Sequence, residues 1–108
     1  MSKAAFQDIQ LGQHRVGPSH PPLIIAELSG NHDQSLDKAL AMIDAAAAAG
    51  AQAIKLQTYT ADTMTLDIDT GEFYIEDKNS LWHGTTLYNL YQIAYTPWDW
   101  HKAIFERA

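Results

Sequence analysis

Leu23-Ile24-Ile25-Ala26-Glu27, with Ser29-Gly30-Asn31-His32 close behind, is the stretch that decides how this chain is read. Four apolar residues in a row suit a strand covered on both faces, the usual condition of a parallel strand. The run ends in a carboxylate and passes into a polar loop containing a glycine. A second run, Ala53-Ile54-Lys55-Leu56-Gln57-Thr58, also carries an ionic group and an amide. Between the two lies one helical stretch. Strand, loop, helix, strand, with reactive groups near the strand ends, is the pattern of α/β folds, whose active sites are built at that edge.

The connecting helix is predicted from Ser35 to Ala49. Leu36, Ala39, Leu40, Ile43, Ala46 and Ala47 recur at helical spacing and give it an apolar face to lay on a sheet, while Asp37, Lys38 and Asp44 mark its wet side. Asp33 or Ser35 supplies the N-cap, and Gly50 stands where a helix ends in a glycine. Upstream, residues 6–20 alternate weakly and predict a hairpin around Gly12-Gln13, followed by a turn-rich connector over residues 17–22. Residues 1–22 therefore read as hairpin and connector, and residues 23–108 as the first βα units of a larger α/β domain. Residues 59–85 form a long connection in which Asp62, Asp67, Asp69, Glu72, Glu76 and Asp77 face only Lys78. That length suits a lid or specificity loop, and equally a solvated acidic surface. A short helix is predicted around Leu87 to Ala94, capped by Thr85 or Thr86. A last helix is predicted from Trp98 to Ala108, with Thr96 at N-cap, Pro97 at N1 and Asp99 at N3.

Composition narrows the function classes. The chain has 108 residues, 46% hydrophobic and 19% charged, which fits a globular chain. It has no cysteine, so disulfides and thiolate chemistry are excluded. Its formal charge of −6 speaks against non-specific nucleic-acid binding. No apolar run is long enough to span a bilayer, and the N-terminus lacks a signal-peptide core, so a cytoplasmic protein without membrane partners is expected. A complete α/β barrel needs about 250 residues. The chain holds two clear βα units at most and stops inside its last helix, so it reads as the N-terminal portion of a longer protein.

Alternation along the second strand puts Ala53, Lys55 and Gln57 on one side and Ile54, Leu56 and Thr58 on the other. In a barrel the first set faces the interior, where an unpaired ammonium is costly. Lys55 then reads as an anion clamp for phosphate or carboxylate, as a Schiff-base amine, or as a plain salt-bridge partner of Glu27. Glu27 suits a general base or an acceptor for sugar hydroxyls, and also a structural carboxylate binding backbone N–H groups. Asn31 and His32 offer an amide and an imidazole beside it, although turn chemistry alone also accounts for them. The five histidines show no HxxxH or HExxH spacing, so no metal site is visible. Trp82, Tyr88, Tyr91, Tyr95, Trp98 and Trp100 read as packing residues with polar tips.

Residues Ile24 to His32 together with Ala51-Gln52-Ala53-Ile54-Lys55-Leu56-Gln57-Thr58-Tyr59-Thr60 resemble the N-terminal barrel segment of the sialic acid synthase family. Leu81 to Gly84, Thr86 to Tyr91 and Ala94 to His101 are most similar to its pseudaminic acid branch. The resemblance covers roughly residues 5–108. It implies a (β/α)8 TIM barrel, incomplete in this chain, with a C-terminal antifreeze-like domain in a domain-swapped homodimer. It implies condensation of phosphoenolpyruvate with the open-chain aldehyde of an N-acetylated amino sugar, aided by manganese or magnesium. By position, Lys55 matches a lysine that binds phosphoenolpyruvate, Glu27 a glutamate at the sugar site, and Gln57 a glutamine that contacts the sugar. The metal histidines, a second active-site lysine and a later catalytic glutamate fall in strands that this chain does not contain. The 108 residues alone are therefore expected to be inactive. N-acetylneuraminate or legionaminate synthesis, a Schiff-base aldolase using Lys55, and a non-catalytic remnant or interaction module are the competing readings.

Overall fold

The computed structural model describes residues 5–108. The signal-peptide reading and the start of the 1–22 segment rest partly on residues 1–4, which lie outside the described residues.

A first pair of strands, β1 (Ile9–Leu11) and β2 (His14–Val16), is antiparallel, with Leu11 opposite His14. Gly12 takes φ +56° in the two-residue turn, a left-handed value that costs glycine nothing. His20 Nε2 meets the Asp8 carboxylate at 2.9 Å and ties the connector back to the start of the hairpin.

A second pair, β3 (Ile25–Glu27) and β4 (Ala53–Lys55), is parallel, with Ile25 opposite Ala53 and Glu27 opposite Lys55. Helix α1 (Leu36–Ala48) crosses between them. Its start is set by Ser35, whose hydroxyl accepts the Lys38 N–H at 3.2 Å. Its end is a left-handed turn at Gly50: Gly50 N–H donates to the Ala47 carbonyl at 3.1 Å and Ala51 N–H to that of Ala46 at 3.0 Å. These two bonds satisfy carbonyls that the helix end would otherwise leave open.

Both strands are shorter than the sequence predicts. β3 lacks Leu23 and Ile24, and β4 stops at Lys55 instead of running to Thr58. Beyond Lys55 the chain leaves the ladder, and the Gln57 carbonyl accepts the N–H of Thr96 at 2.8 Å. β3 is not covered on both faces either, since Ile24 and Ile25 are each about half exposed. The parallel sheet has only these two strands among the described residues, which leaves part of its surface open.

Helices α2 (Ala61–Met64), α3 (Leu87–Ala94) and α4 (His101–Arg107) complete the chain. α2 interrupts the long connection, held by Thr60 N–H donating to the Thr63 hydroxyl at 3.2 Å. The connection is closed on itself: Ile75 N–H donates to the Thr85 carbonyl and Gly84 N–H to that of Ile75, each at 3.0 Å. Thr86 caps α3 by accepting the Asn89 N–H at 3.1 Å. The last predicted helix is divided. Pro97 has extended backbone (ψ 139°) and so precedes the helix instead of opening it; residues 98–100 form a tight 3-10 turn, and α4 starts at His101. Thr96 is buried, its hydroxyl has no partner among the described residues, and it caps nothing.

The core lies where α4 meets α1. Leu28, Ala39, Ile43 and Ile104 are buried there or nearby. Across the rim of this contact Arg107 grips Asp44 with two N–H groups, Nε donating to Oδ1 at 2.7 Å and Nη2 to Oδ2. The guanidinium holds the Asp44 carboxyl below the usual carboxylate range. The described residues thus form an α/β arrangement that includes a parallel ladder. None of their helices is long and apolar enough to cross a membrane.

Candidate functional site

The carboxyl ends of β3 and β4 lie side by side, so the register that pairs Glu27 with Lys55 sets both side chains on one face. Lys55 Nζ donates to Glu27 Oε1 at 3.1 Å. The side chains of Lys55 and Glu27 remain 58% and 55% exposed. An ion pair this open contributes about 0–1 kcal/mol to stability. The pair is thus a poor structural brace, and both charges are accessible to a ligand arriving at the strand ends.

The loop leaving β3 is unusual. Ser29, Asp33 and Gln34 hold φ values of +53°, +49° and +57°, a left-handed region that non-glycine residues adopt at a cost. Specific contacts hold them there. Gln34 Nε2 donates to the carbonyls of Ile93 at 2.6 Å and Tyr95 at 3.1 Å. Lys38 pairs with the Asp33 carboxylate. Gly30 lies so near Ala94 that an added Cβ would come within 2.8 Å of the Ala94 side chain, so only glycine fits.

The loop divides the two residues that the sequence offers together. Asn31 stays exposed, its amide donating to the Leu28 carbonyl at 3.3 Å. His32 turns inward and is 0% exposed. Its Nδ1 accepts the Gln34 N–H at 3.1 Å, and its ring meets Trp100 edge-on at 5.0 Å. The proton of the neutral ring therefore sits on Nε2, which has no partner within hydrogen-bonding geometry among the described residues. Burial lowers the His32 pKa, with Lys38 acting in the same sense and Asp33 and the Tyr95 carbonyl opposing. His32 braces the loop from inside and does not line the site in this arrangement. Gln57 lies two residues past β4, half-buried, its carbonyl held by Thr96.

A pH dependence follows. A histidine with a lowered folded pKa favours folding fully above its unfolded value, about 6.5, and loses that contribution as pH falls below it. Stability should therefore decline on acidification from pH 7.5 to 5. Melting of His32→Gln over the same range should show a shallower decline, and parallel curves would contradict this role.

Past β4 the chain lines a cleft of about 530 Å³ whose walls include Tyr59, Tyr95, Trp98, Gln92, Asp62 and Asp99. Tyr59 meets Tyr91 edge-on at 5.5 Å, and burial, then the neighbouring Tyr91, raises its pKa. Tyr88 donates its hydroxyl to Asp62 at 2.9 Å. Trp98, read from sequence as packing, is 55% exposed at the cleft wall, whereas Trp100 does pack, on His32. Both tryptophans lie in the turn over residues 98–100, two positions apart, and no signal in the sequence separates the exposed one from the packed one. Among the described residues no three His, Asp or Glu side chains converge as metal ligands. The described residues therefore do not fit the divalent ion that the resemblance implies.

The α/β arrangement of the described residues agrees with the comparisons. The model of the NeuB family matches residues 42–108, a segment that includes Lys55 and Gln57. The chain belongs to the NeuB family. Among NeuB-related proteins, the pseudaminic acid synthase of Campylobacter jejuni is 55% identical over 85 residues, covering 79% of this chain and 24% of that protein. The pseudaminic acid synthase of Helicobacter pylori is 47% identical over 88 residues, covering 82% of this chain and 25% of that protein. The crystal structure of the spore coat polysaccharide biosynthesis protein SpsE from Bacillus subtilis superposes with a TM-score of 0.61 at 34% identity, covering 94% of this chain and 24% of that one. The chain thus spans about a quarter of the length of the relatives it matches. The resemblance to the sialic acid synthase family, with its kinship to pseudaminic acid synthases, holds.

Proposed function

We propose that this NeuB chain is the first part of a (β/α)8 barrel that condenses phosphoenolpyruvate with an N-acetylated amino sugar to give a nonulosonic acid, pseudaminic acid in the first instance. The observation that carries the reading is the exposed Glu27–Lys55 pair at the carboxyl edge of β3 and β4, in a chain 55% identical to a pseudaminic acid synthase. Such a synthase is a transferase of the cytoplasm, where phosphoenolpyruvate is formed. Its homodimer, its divalent metal and the ligands for that metal belong to the remainder of the parent protein.

In this reading carbon 3 of phosphoenolpyruvate bonds to the aldehyde carbon of the open-chain sugar. Water adds to carbon 2, and inorganic phosphate departs with C–O cleavage. Lys55 holds the phosphate or carboxylate of phosphoenolpyruvate as a compact point charge. Glu27 accepts a sugar hydroxyl, and Gln57 and Asn31 offer amides to the same sugar. Formation of the ligand complex draws Lys55 away from Glu27 at little cost, because the exposed pair is weak.

The test uses the protein encoded by the complete reading frame around these residues. Supplied with phosphoenolpyruvate, Mn²⁺ and 2,4-diacetamido-2,4,6-trideoxy-altrose, it should release phosphate in step with a nine-carbon 2-keto acid. Borohydride added with pyruvate should leave the Lys55 peptide unmodified. A pyruvate adduct on Lys55 without phosphate release would replace this reading with a Schiff-base aldolase.

A further inference from the structure

The cleft beyond β4 has a chemistry of its own. Tyr59, Tyr95 and Trp98 contribute aromatic surface, with Tyr95 tilted between the other two at ring separations of 6.5 Å on each side. Asp62, Asp99 and Gln92 add carboxylate and amide oxygens. Among the described residues, no lysine, arginine or histidine lines it. Two carboxylates without a cation repel phosphate and carboxylate ligands, so phosphoenolpyruvate has no place there. Aromatic faces beside hydrogen-bond acceptors suit a neutral ligand with apolar C–H faces and several O–H and N–H donors. That description is an acylated amino sugar.

Position supports the same occupant. Tyr59 lies four residues past Lys55, at most about 14 Å of extended chain. The cleft is also joined to the Glu27 side, because Tyr95, which lines it, gives its carbonyl to Gln34 of the β3 loop.

We propose that this cleft is the specificity subsite for the acceptor sugar, with Trp98 as the stacking platform and Asp99 as a hydrogen-bond acceptor for its hydroxyl or acetamido N–H groups. The assignment rests on the synthase reading above. It divides the site by charge: the anionic co-substrate goes to Lys55, and the uncharged part of the acceptor goes to the aromatic cleft. Trp98 and Asp99 are both exposed, so their substitution leaves the core intact.

The experiment compares Trp98→Ala, Trp98→Phe and Asp99→Asn with wild type in the full-length protein. The probe is 2,4-diacetamido-2,4,6-trideoxy-altrose, with phosphoenolpyruvate varied separately. Trp98→Ala should raise KM for the sugar about ten-fold or more, the scale of one lost stacking contact, while KM for phosphoenolpyruvate stays within about two-fold. Trp98→Phe should recover much of the loss, and Asp99→Asn should weaken the sugar alone. An unchanged sugar KM in Trp98→Ala, or an equal loss for both substrates, overturns the subsite and leaves the synthase reading standing. Where wild type itself turns nothing over, the synthase reading fails, and ligand-observed NMR with the same sugar decides the cleft. A signal present with wild type and lost in Trp98→Ala supports the subsite, and any other pattern overturns it.

Discussion

Lys55→Ala in the full-length protein should lower synthase activity roughly 30- to 1000-fold, the consequence of losing about 2–4 kcal/mol of charge stabilisation once bound substrate and the rest of the barrel exclude water from the strand ends. The loss should appear first as weakened phosphoenolpyruvate binding, since a charge-assisted contact to an oxyanion exceeds a neutral one. Lys55→Arg should recover only part, because a planar guanidinium replaces a point charge. Glu27→Gln is the contrasting variant. It frees Lys55 from its 3.1 Å partner, so phosphoenolpyruvate binding should persist while the sugar step suffers. Calorimetric titration of phosphoenolpyruvate into both variants separates the two roles. Wild-type affinity in Lys55→Ala would reduce Lys55 to a partner for Glu27 and nothing more.

Ile104→Ala should cost about 2–5 kcal/mol of stability, the range for removing a fully buried branched side chain. Ile104 is 0% exposed on α4, where that helix packs on α1. Little can collapse into the space it leaves, because Arg107 and Asp44 fix the rim of the same contact. Ile104→Val should cost only about 0.5–1.5 kcal/mol. Urea unfolding of the purified variants measures both, and a loss below about 1 kcal/mol for Ile104→Ala would remove the α1–α4 contact from the core.

Much of the frame was legible in the residues. Helix α1 appears where the spacing of Leu36, Ala39, Leu40 and Ile43 puts it, opened by Ser35 and closed at Gly50, because periodicity and caps are local signals. Thr86 and the segment from Leu87 to Ala94 were readable for the same reason. Strand ends were not, since the ladder is halted by the Gln57–Thr96 bond between residues far apart in sequence. Nor was the failure of Thr96 to cap, where burial of the hydroxyl prevails over local preference. At the site, Glu27 and Lys55 could be nominated from their strand positions, but their contact depends on register. The inward turn of His32 depends on Trp100 and could not be seen from a loop sequence. Trp98 shows the converse: an aromatic residue usually packs, yet this one stays at the surface while Trp100, in the same turn, packs on His32.

The tether from Gln34 to Ile93 and Tyr95 has an evolutionary consequence. One short backbone segment holds the loop behind Glu27 by its carbonyls and contributes Tyr95, Pro97 and Trp98 to the aromatic cleft. Substitutions on the two sides are therefore energetically coupled and will not simply add. A lineage that remodels residues 93–98 must re-accommodate residues 29–34 as well, so the ligand preference of the cleft, whatever its occupant, changes along paths that alter both segments together.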